Sequence, residues 1–360
     1  MRTLTTILTG ALICSNLLAQ GVITRHNAGQ SYFYYDGNIQ TVFEEANGAL
    51  GVDTIILGGG TYNLGGGDLH IQSQVVLIGT GIHPDSSLAY NNNGPTQITG
   101  NVNSAVILES NASGSELHGI LITNSGVGFG TSGIATTNVD NVKFFRCRIT
   151  GTLSLGFGVN GSQANDTYIH ECVLGNVNIS HSQNTIIRNS SLYGLIDSGI
   201  GEGTLIEHNL IFNWASGTIN GPQFEKNVFV LNSGAPVSLA GQSTFLNNVF
   251  VGSGAGFNVT FNGPVNSGNV IRFPLSGGGA LAAFPSTTAS SYTAFDFYAD
   301  YTLNPNVPAN VQDAGIFGGG DPWKPGSVPF NPHWRELTTP TGTSNGALQG
   351  VTIKATAQQD

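Results

Sequence analysis

Five side chains hold the densest chemistry in this sequence. His170, Arg188 and Glu207 follow one another at intervals of 18 and 19 residues, and His208 and Lys226 repeat an 18-residue interval one position further on. Imidazole, guanidinium and carboxylate on one line are the parts of a proton-abstracting site. Arg188 or His170 would serve as base, and a cation would stabilise the negative charge that develops. Acidic neighbours would hold Ca²⁺. Applied to a uronate polymer, this is the chemistry of a polysaccharide lyase.

The elements that would place these residues on one line are repeats. Leu117, Phe144, Ile169, Ile187, Ile206, Phe224 and Phe245 each open the same short pattern, at successive intervals of 27, 25, 18, 19, 18 and 21 residues. Three positions later stand Ile120, Cys147, Cys172, Ser190, Asn209, Asn227 and Asn248, and five positions later Ile122, Ile149, Leu174, Leu192, Ile211, Phe229 and Phe250. Self-similarity near twenty residues with variable insertions marks a stacked solenoid, and no Leu-rich horseshoe consensus is present. β-Branched and aromatic runs bounded by Gly, Asn and Ser are strand and turn chemistry. With 51 Gly and 9% charged residues, there is little material for long solvated helices. The expected fold is all-β: a right-handed parallel β-helix whose inward positions stack Ile on Ile and Phe on Phe. Asn209, Asn227 and Asn248 fall between strands, where Asn tolerates left-handed backbone and bonds to the next coil.

In such a coil, one outward column holds Phe145, His170, Arg188, Glu207, Glu225 and Leu246, and the next holds Arg146, Glu171, Asn189, His208, Lys226 and Asn247. Arg146 then faces Glu171, and Arg188 faces Glu207, across adjacent coils. A ladder of such pairs is the competing arrangement, each pair contributing a few tenths to about 1 kcal/mol. The signs alternate from coil to coil, which favours pairing, because a Ca²⁺ site gathers carboxylates. Glycine runs such as GGGTYNLGGG and IFGGGDPW lack the Lys-Ser/Thr and following helix of a phosphate cradle and read as turns.

Ahead of the repeats, Ile39, Val42, Phe43, Ala46 and Leu50 recur at helical spacing, with Asn38 as N-cap and Gly48 or Gly51 as stop. This helix is expected to cover one open end of the core. Asp53-Thr-Ile-Ile, Gly60-Thr-Tyr and Val75-Val-Leu-Ile-Gly follow. Helix and strands in this order resemble the start of the pectate-lyase-like right-handed parallel β-helix superfamily, over roughly residues 38 to 275. The resemblance implies the fold; the superfamily spans lyases, hydrolases, esterases, tailspikes and adhesins, so it implies no single reaction. Its hydrolases carry a paired Asp-Asp, a Gly-His and an Arg-x-Lys. Here there is no Asp-Asp, His118-Gly119 is reversed, and Arg146-Cys-Arg148 stands alone.

Residues 1–19 read as a secretory signal: Arg2, a largely apolar stretch from Ile7 to Leu18, and Ala19 before a cut at Gln20. The apolar run is too short and interrupted to span a bilayer. The chain is thus expected to be secreted, periplasmic or at the cell surface, and not transmembrane. The 11 Lys plus Arg fall to 10 on loss of Arg2 against 21 Asp plus Glu, a net of −11, which argues against nucleic acid or an anionic membrane as partner. Cys147 and Cys172 share a column on consecutive coils, where either a disulfide or two buried thiols is sterically possible. No further Cys or clustered His completes a metal site with them.

Residues 20–275 are expected to form the β-helix with its N-terminal cap, and residues 276–360 a Gly/Pro-rich exit and a C-terminal cap folded against the last coil. Trp214, Trp323 and Trp334 are candidates for stacking on sugar rings, or for packing. The expected function is binding of an extended glycan or a surface partner protein, without a cofactor and without obvious catalysis. The alternatives are the lyase acting through His170, Arg188 and Glu207, and a purely structural surface protein.

Overall fold

The computed structural model describes residues 22–85, 94–130, 138–156, 163–196, 202–213, 221–231, 233, 235–239, 241–254, 256–263, 265–272, 282–285, 294–324, 333–338 and 352–356. Residues 1–19 and Trp214 lie outside them, so neither the signal reading nor the stacking role of Trp214 meets the structure. Among the described residues no helix is long and apolar enough to cross a membrane.

The chain winds into a parallel β-solenoid of about eight turns, built on a twelve-stranded and a thirteen-stranded sheet that run side by side along its length. In the first sheet, Leu117 pairs with Phe144, Phe144 with Ile169, Ile169 with Ile187, Ile187 with Ile206, Ile206 with Phe224 and Phe224 with Phe245. In the second, Ile122, Ile149, Leu174, Leu192, Ile211, Phe229 and Phe250 pair in the same unbroken order. Both columns read from the sequence are therefore the two inward walls of one core, and all their members are buried.

The strand spacing of about 4.8 Å makes like side chains stack. The rings of Phe224 and Phe245 lie 4.9 Å apart and 6° from parallel, and those of Phe229 and Phe250 4.7 Å apart and 7° from parallel. Aromatic pairs at this distance add about 0.5–1.5 kcal/mol beyond the area they bury.

Between the two walls runs the polar column. The backbone N–H of Asn209 donates to Asn227 Oδ1 at 3.0 Å, that of Asn227 to Asn248 Oδ1 at 2.9 Å, and that of Asn248 to Asn269 Oδ1 at 2.9 Å. Each amide nitrogen donates in turn to a carbonyl, Asn227 Nδ2 to Ile206 O at 2.7 Å among them. Earlier coils keep the pattern with other acceptors: Ser190 N–H donates to Asn209 Oδ1, Cys172 N–H to Ser190 Oγ at 3.0 Å, and Cys147 N–H to Cys172 Sγ at 3.3 Å. Cys147 and Cys172 are thus free thiols serving as rungs, and of the two possibilities the disulfide is not formed. Burial pushes the Cys172 thiol well above its ordinary pKa, with the neighbouring Cys147 adding to the effect.

The left-handed geometry expected of Asn209, Asn227 and Asn248 belongs instead to the residues just before the ladder. Arg146, Glu171, Asn189, His208, Lys226 and Asn247 have φ between 46° and 54°. The column read as outward strand positions is in fact the sharp corner joining the two sheets. For residues other than Gly this conformation costs about 1–2 kcal/mol each, so something must hold the corner.

The α-helix Ile39–Asn47 buries Ile39, Val42, Phe43 and Ala46 against the core, and Asn38 Oδ1 accepts from the Gln40 and Thr41 backbones as an N-cap. Leu50 lies beyond the helix end and is 93% exposed, so it leaves the apolar stripe. Arg25 joins helix and sheet: its Nε donates to the fully buried Asp53 Oδ1 at 2.6 Å and its Nη1 to Glu45 of the helix at 3.2 Å.

Candidate functional site

The two columns of candidate residues do line up. In the first sheet Phe145 pairs with His170, His170 with Arg188, Arg188 with Glu207 and Glu207 with Glu225, so the strip proposed from spacing is a real row on one face. His118 belongs to the same row, paired with Phe145 and stacked on its ring at 4.8 Å. Its neighbour Leu117 opens the first repeat, yet the column read from the sequence begins only at Phe145.

The C-terminal segment decides what these residues can do. It runs back along the corner column, one coil after another, so the contacts of the described tail lie along the flank of the solenoid. Asn310 Nδ2 donates to Asn247 Oδ1 at 2.9 Å and to Gly268 O at 2.8 Å. Gly315 N–H donates to Lys226 O at 2.8 Å, and Lys226 Nζ to Asp313 Oδ2 at 2.7 Å. His208 Nδ1 lies 2.8 Å from Asp313 O, a carbonyl to which Nδ1–H donates. Asn189 Nδ2 donates to Ile316 O at 3.0 Å and Gly318 O at 2.8 Å. His170 Nε2 lies 3.2 Å from Asp321 O and 3.4 Å from Asp321 Oδ2. Glu171 accepts from the Lys324 backbone through one oxygen and from Arg146 Nε through the other. These bonds hold the left-handed corner.

Close passage over the corner requires glycine. A Cβ on Gly318 would meet Asp313 O at 1.6 Å and His208 Nδ1 at 2.7 Å, so the chain can cross the imidazole only without a side chain there.

The candidates thus divide. His170 is 2% exposed and His208 6%, both under the tail, and Lys226 is in an ion pair with Asp313. Burial is the main cause that lowers the pKa of His170, and likewise of His208, below the ordinary imidazole value. Arg188 and Glu207 remain on the open face, half-buried, with Arg188 Nε 3.6 Å from Glu207 Oε1. Tyr168, beside them, has its phenol pKa raised chiefly by burial, while Arg188 acts in the opposite sense. Glu225, at the end of the row, accepts from Gln223 Nε2 at 3.0 Å. Among the described residues no group of three or more His, Cys, Asp or Glu is placed to hold a metal ion. Two carboxylates do meet on the strip, Glu207 and Glu225 in register on adjacent strands, so the alternation of sign expected from the sequence stops there.

Trp323 is 6% exposed and packs on Phe295 and Phe297, with ring centroids at 5.3 and 6.5 Å, so it is a packing residue of the tail and not a sugar platform. Trp334 stands in the strand His333–Thr338, paired antiparallel with Thr352–Thr356.

The depressed imidazoles have a measurable consequence. A His whose folded pKa lies below its unfolded value of about 6.5 stabilises the fold fully above that pH, and the contribution is lost as pH falls through the folded value. The midpoint of urea unfolding is therefore expected to fall between pH 7.5 and 5.5. The fall should shrink in a His170→Gln, His208→Gln double variant.

A polar cleft that sequence reasoning did not find lies beside the helix, lined by Phe43, Glu44, Asp68, His70, Gln72 and Glu109, among others. Glu109 is fixed there by His70 Nδ1 at 2.7 Å and Gln72 Nε2 at 3.0 Å. The lining residues run from Gln40 to Glu109, 69 positions apart in sequence, and belong to no repeat column, so no periodic signal marks them.

No protein-family model matches the chain, and no curated protein matches it. The fold statement accordingly rests on the chain's own register, a parallel β-solenoid of about eight turns.

Proposed function

We propose that the protein is an exported parallel β-helix that binds an extended glycan, or a surface partner, on the open face of its first sheet and without catalysis. The observation that supports this reading is the engagement of the candidate base residues. His170 is closed under the tail, and Arg188 is turned to Glu207 and Tyr168. A base must reach the proton it abstracts, and a buried imidazole bonded to a backbone carbonyl has no such reach.

What the open face does offer is a continuous row of half-buried side chains. His118, Phe145 and Tyr168 form an aromatic run, with Phe145 and Tyr168 ring centroids 5.7 Å apart. Lys143 and His118 both contact Glu116, at 2.8 and 3.1 Å, beside that run. Flat rings flanked by polar groups at regular intervals suit a polymer of sugar units, whose faces are apolar and whose rims carry hydroxyls. The export reading is supported by the pattern of residues 1–19 alone.

The test offers the purified protein a panel of uronate and neutral polysaccharides, following retention and the ultraviolet absorbance of unsaturated product together. Retention without product is expected, reduced several-fold in a Phe145→Ala, Tyr168→Ala variant. Absorbance that grows with uronates and is abolished by Arg188→Ala would establish the lyase and overturn the non-catalytic reading. No retention of any glycan would leave the chain as a partner-binding or structural surface protein.

A further inference from the structure

On the second sheet the outward column runs Leu121, Arg148, Val173, Ser191, Leu210, Val228 and Val249. From Val173 onward it is covered by tail residues including Phe284, Tyr301, Val311 and Ile316, which form a second apolar cluster with it. At Arg148 the cover opens into a cleft of about 360 Å³ between the sheet and Phe295.

The backbone makes room for this cleft. The register slips between Ile149 and Thr152, and the wall beyond is glycine: a Cβ on Gly175 would lie 2.3 Å from Gly151 O. Around the space stand Thr150, Asn176, Ser191 and Tyr193 as hydrogen-bonding groups, with Phe212 and Phe295 as apolar ones. Space of this size is at the lower end of small-molecule sites.

Among the described residues, Arg148 is the one charged residue that lines it. It is half-buried, and its Cζ sits 5.6 Å from the centre of the Phe297 ring. Among the described residues no carboxylate pairs with it, although the chain carries a net charge of −10. Burial lowers its pKa, which for a guanidinium still leaves the charge in place at neutral pH. Contact with a ring face leaves the N–H edge of the guanidinium available. A planar fork of donors beside an apolar hollow matches a carboxylate on a small hydrophobic body, with the two oxygens on the fork and the body against Phe212 and Phe295.

We propose that this cleft is a binding site for a small organic monocarboxylate. One cation sets the charge of the ligand at −1, and the hydroxyl and amide groups of Ser191, Tyr193 and Asn176 receive any further polar substituent. The site lies on the second sheet and is independent of glycan binding on the first.

The test uses phenylacetate and its neutral isostere phenylacetamide as probes of the full chain, with dissociation constants from ligand-observed NMR. Phenylacetate is expected to bind, and phenylacetamide to bind about tenfold or more weakly. Arg148→Gln should remove that difference while the unfolding temperature stays near that of the parent. Equal binding of the two probes to the parent protein would overturn the proposal, and so would absence of phenylacetate binding at about 10 mM. Preference for the carboxylate surviving in Arg148→Gln would overturn it as well. The comparison on the parent protein decides the matter even if the variant fails to fold.

Discussion

Replacing Glu171 by alanine is expected to destabilise the protein by about 3–5 kcal/mol, the cost of breaking a buried ion pair from one side. Arg146 and Glu171 are each 1% exposed, so neither water nor a surface counter-ion can take the place of the carboxylate. The loss is twofold. The Arg146 guanidinium loses the carboxylate on its Nε, and the Lys324 N–H loses the acceptor that ties the tail to this coil. Denaturant unfolding followed by circular dichroism measures it. A cost below about 1 kcal/mol, the range of exposed pairs, would mean that the pair is solvated and that the tail does not seal it. The conservative Glu171→Gln variant keeps the acceptor for Lys324 and should lose less.

The second large effect is expected from Phe229→Ala, at about 3–5 kcal/mol. Phe229 is fully buried, stacks on Phe250, and touches Phe224 and Phe245 at ring distances of 5.8 and 6.3 Å. In a solenoid each coil contacts only its neighbours, so the cavity cannot be closed by distant rearrangement. Phe229→Leu, which retains most of the volume, should cost far less. A loss under about 1 kcal/mol for the alanine variant, read from the same unfolding curves, would contradict the stacked core.

How much of this was legible in the sequence depends on the range of the interaction. The inward columns were, because Phe144 above Ile169 or Phe229 above Phe250 obeys a fixed offset within every repeat. The helix was also legible, from Asn38 as cap and the spacing of Ile39, Val42, Phe43 and Ala46. The corner was not. Nothing about His208, Lys226 or Glu171 as residue types announces a left-handed backbone, which propensity assigns to Gly and Asn. The hydrogen bonds of the ladder were foreseen for Asn209 and Asn227, but its continuation through Ser190 and Cys172 was hidden, since a thiol standing in for an amide oxygen looks like a hydrophobe. Least visible was the path of the tail. Its partners are 105 residues away for His208 and 151 for His170, and no repeat links them. A row of His, Arg and Glu with the spacing of a catalytic strip therefore read as open surface, when His170 in that row and His208 in the corner column beside it are closed under a second segment of the chain.

The account stands on the tail lying along the corner column, and residue-resolved amide hydrogen exchange measures this directly. Gly315 N–H, bonded to Lys226 O, and Lys324 N–H, bonded to Glu171, should exchange orders of magnitude more slowly than in an unstructured peptide, as the strand amides of the solenoid do. Exchange of both at the unstructured rate would show the corner uncovered, and His170 and His208 open to a ligand.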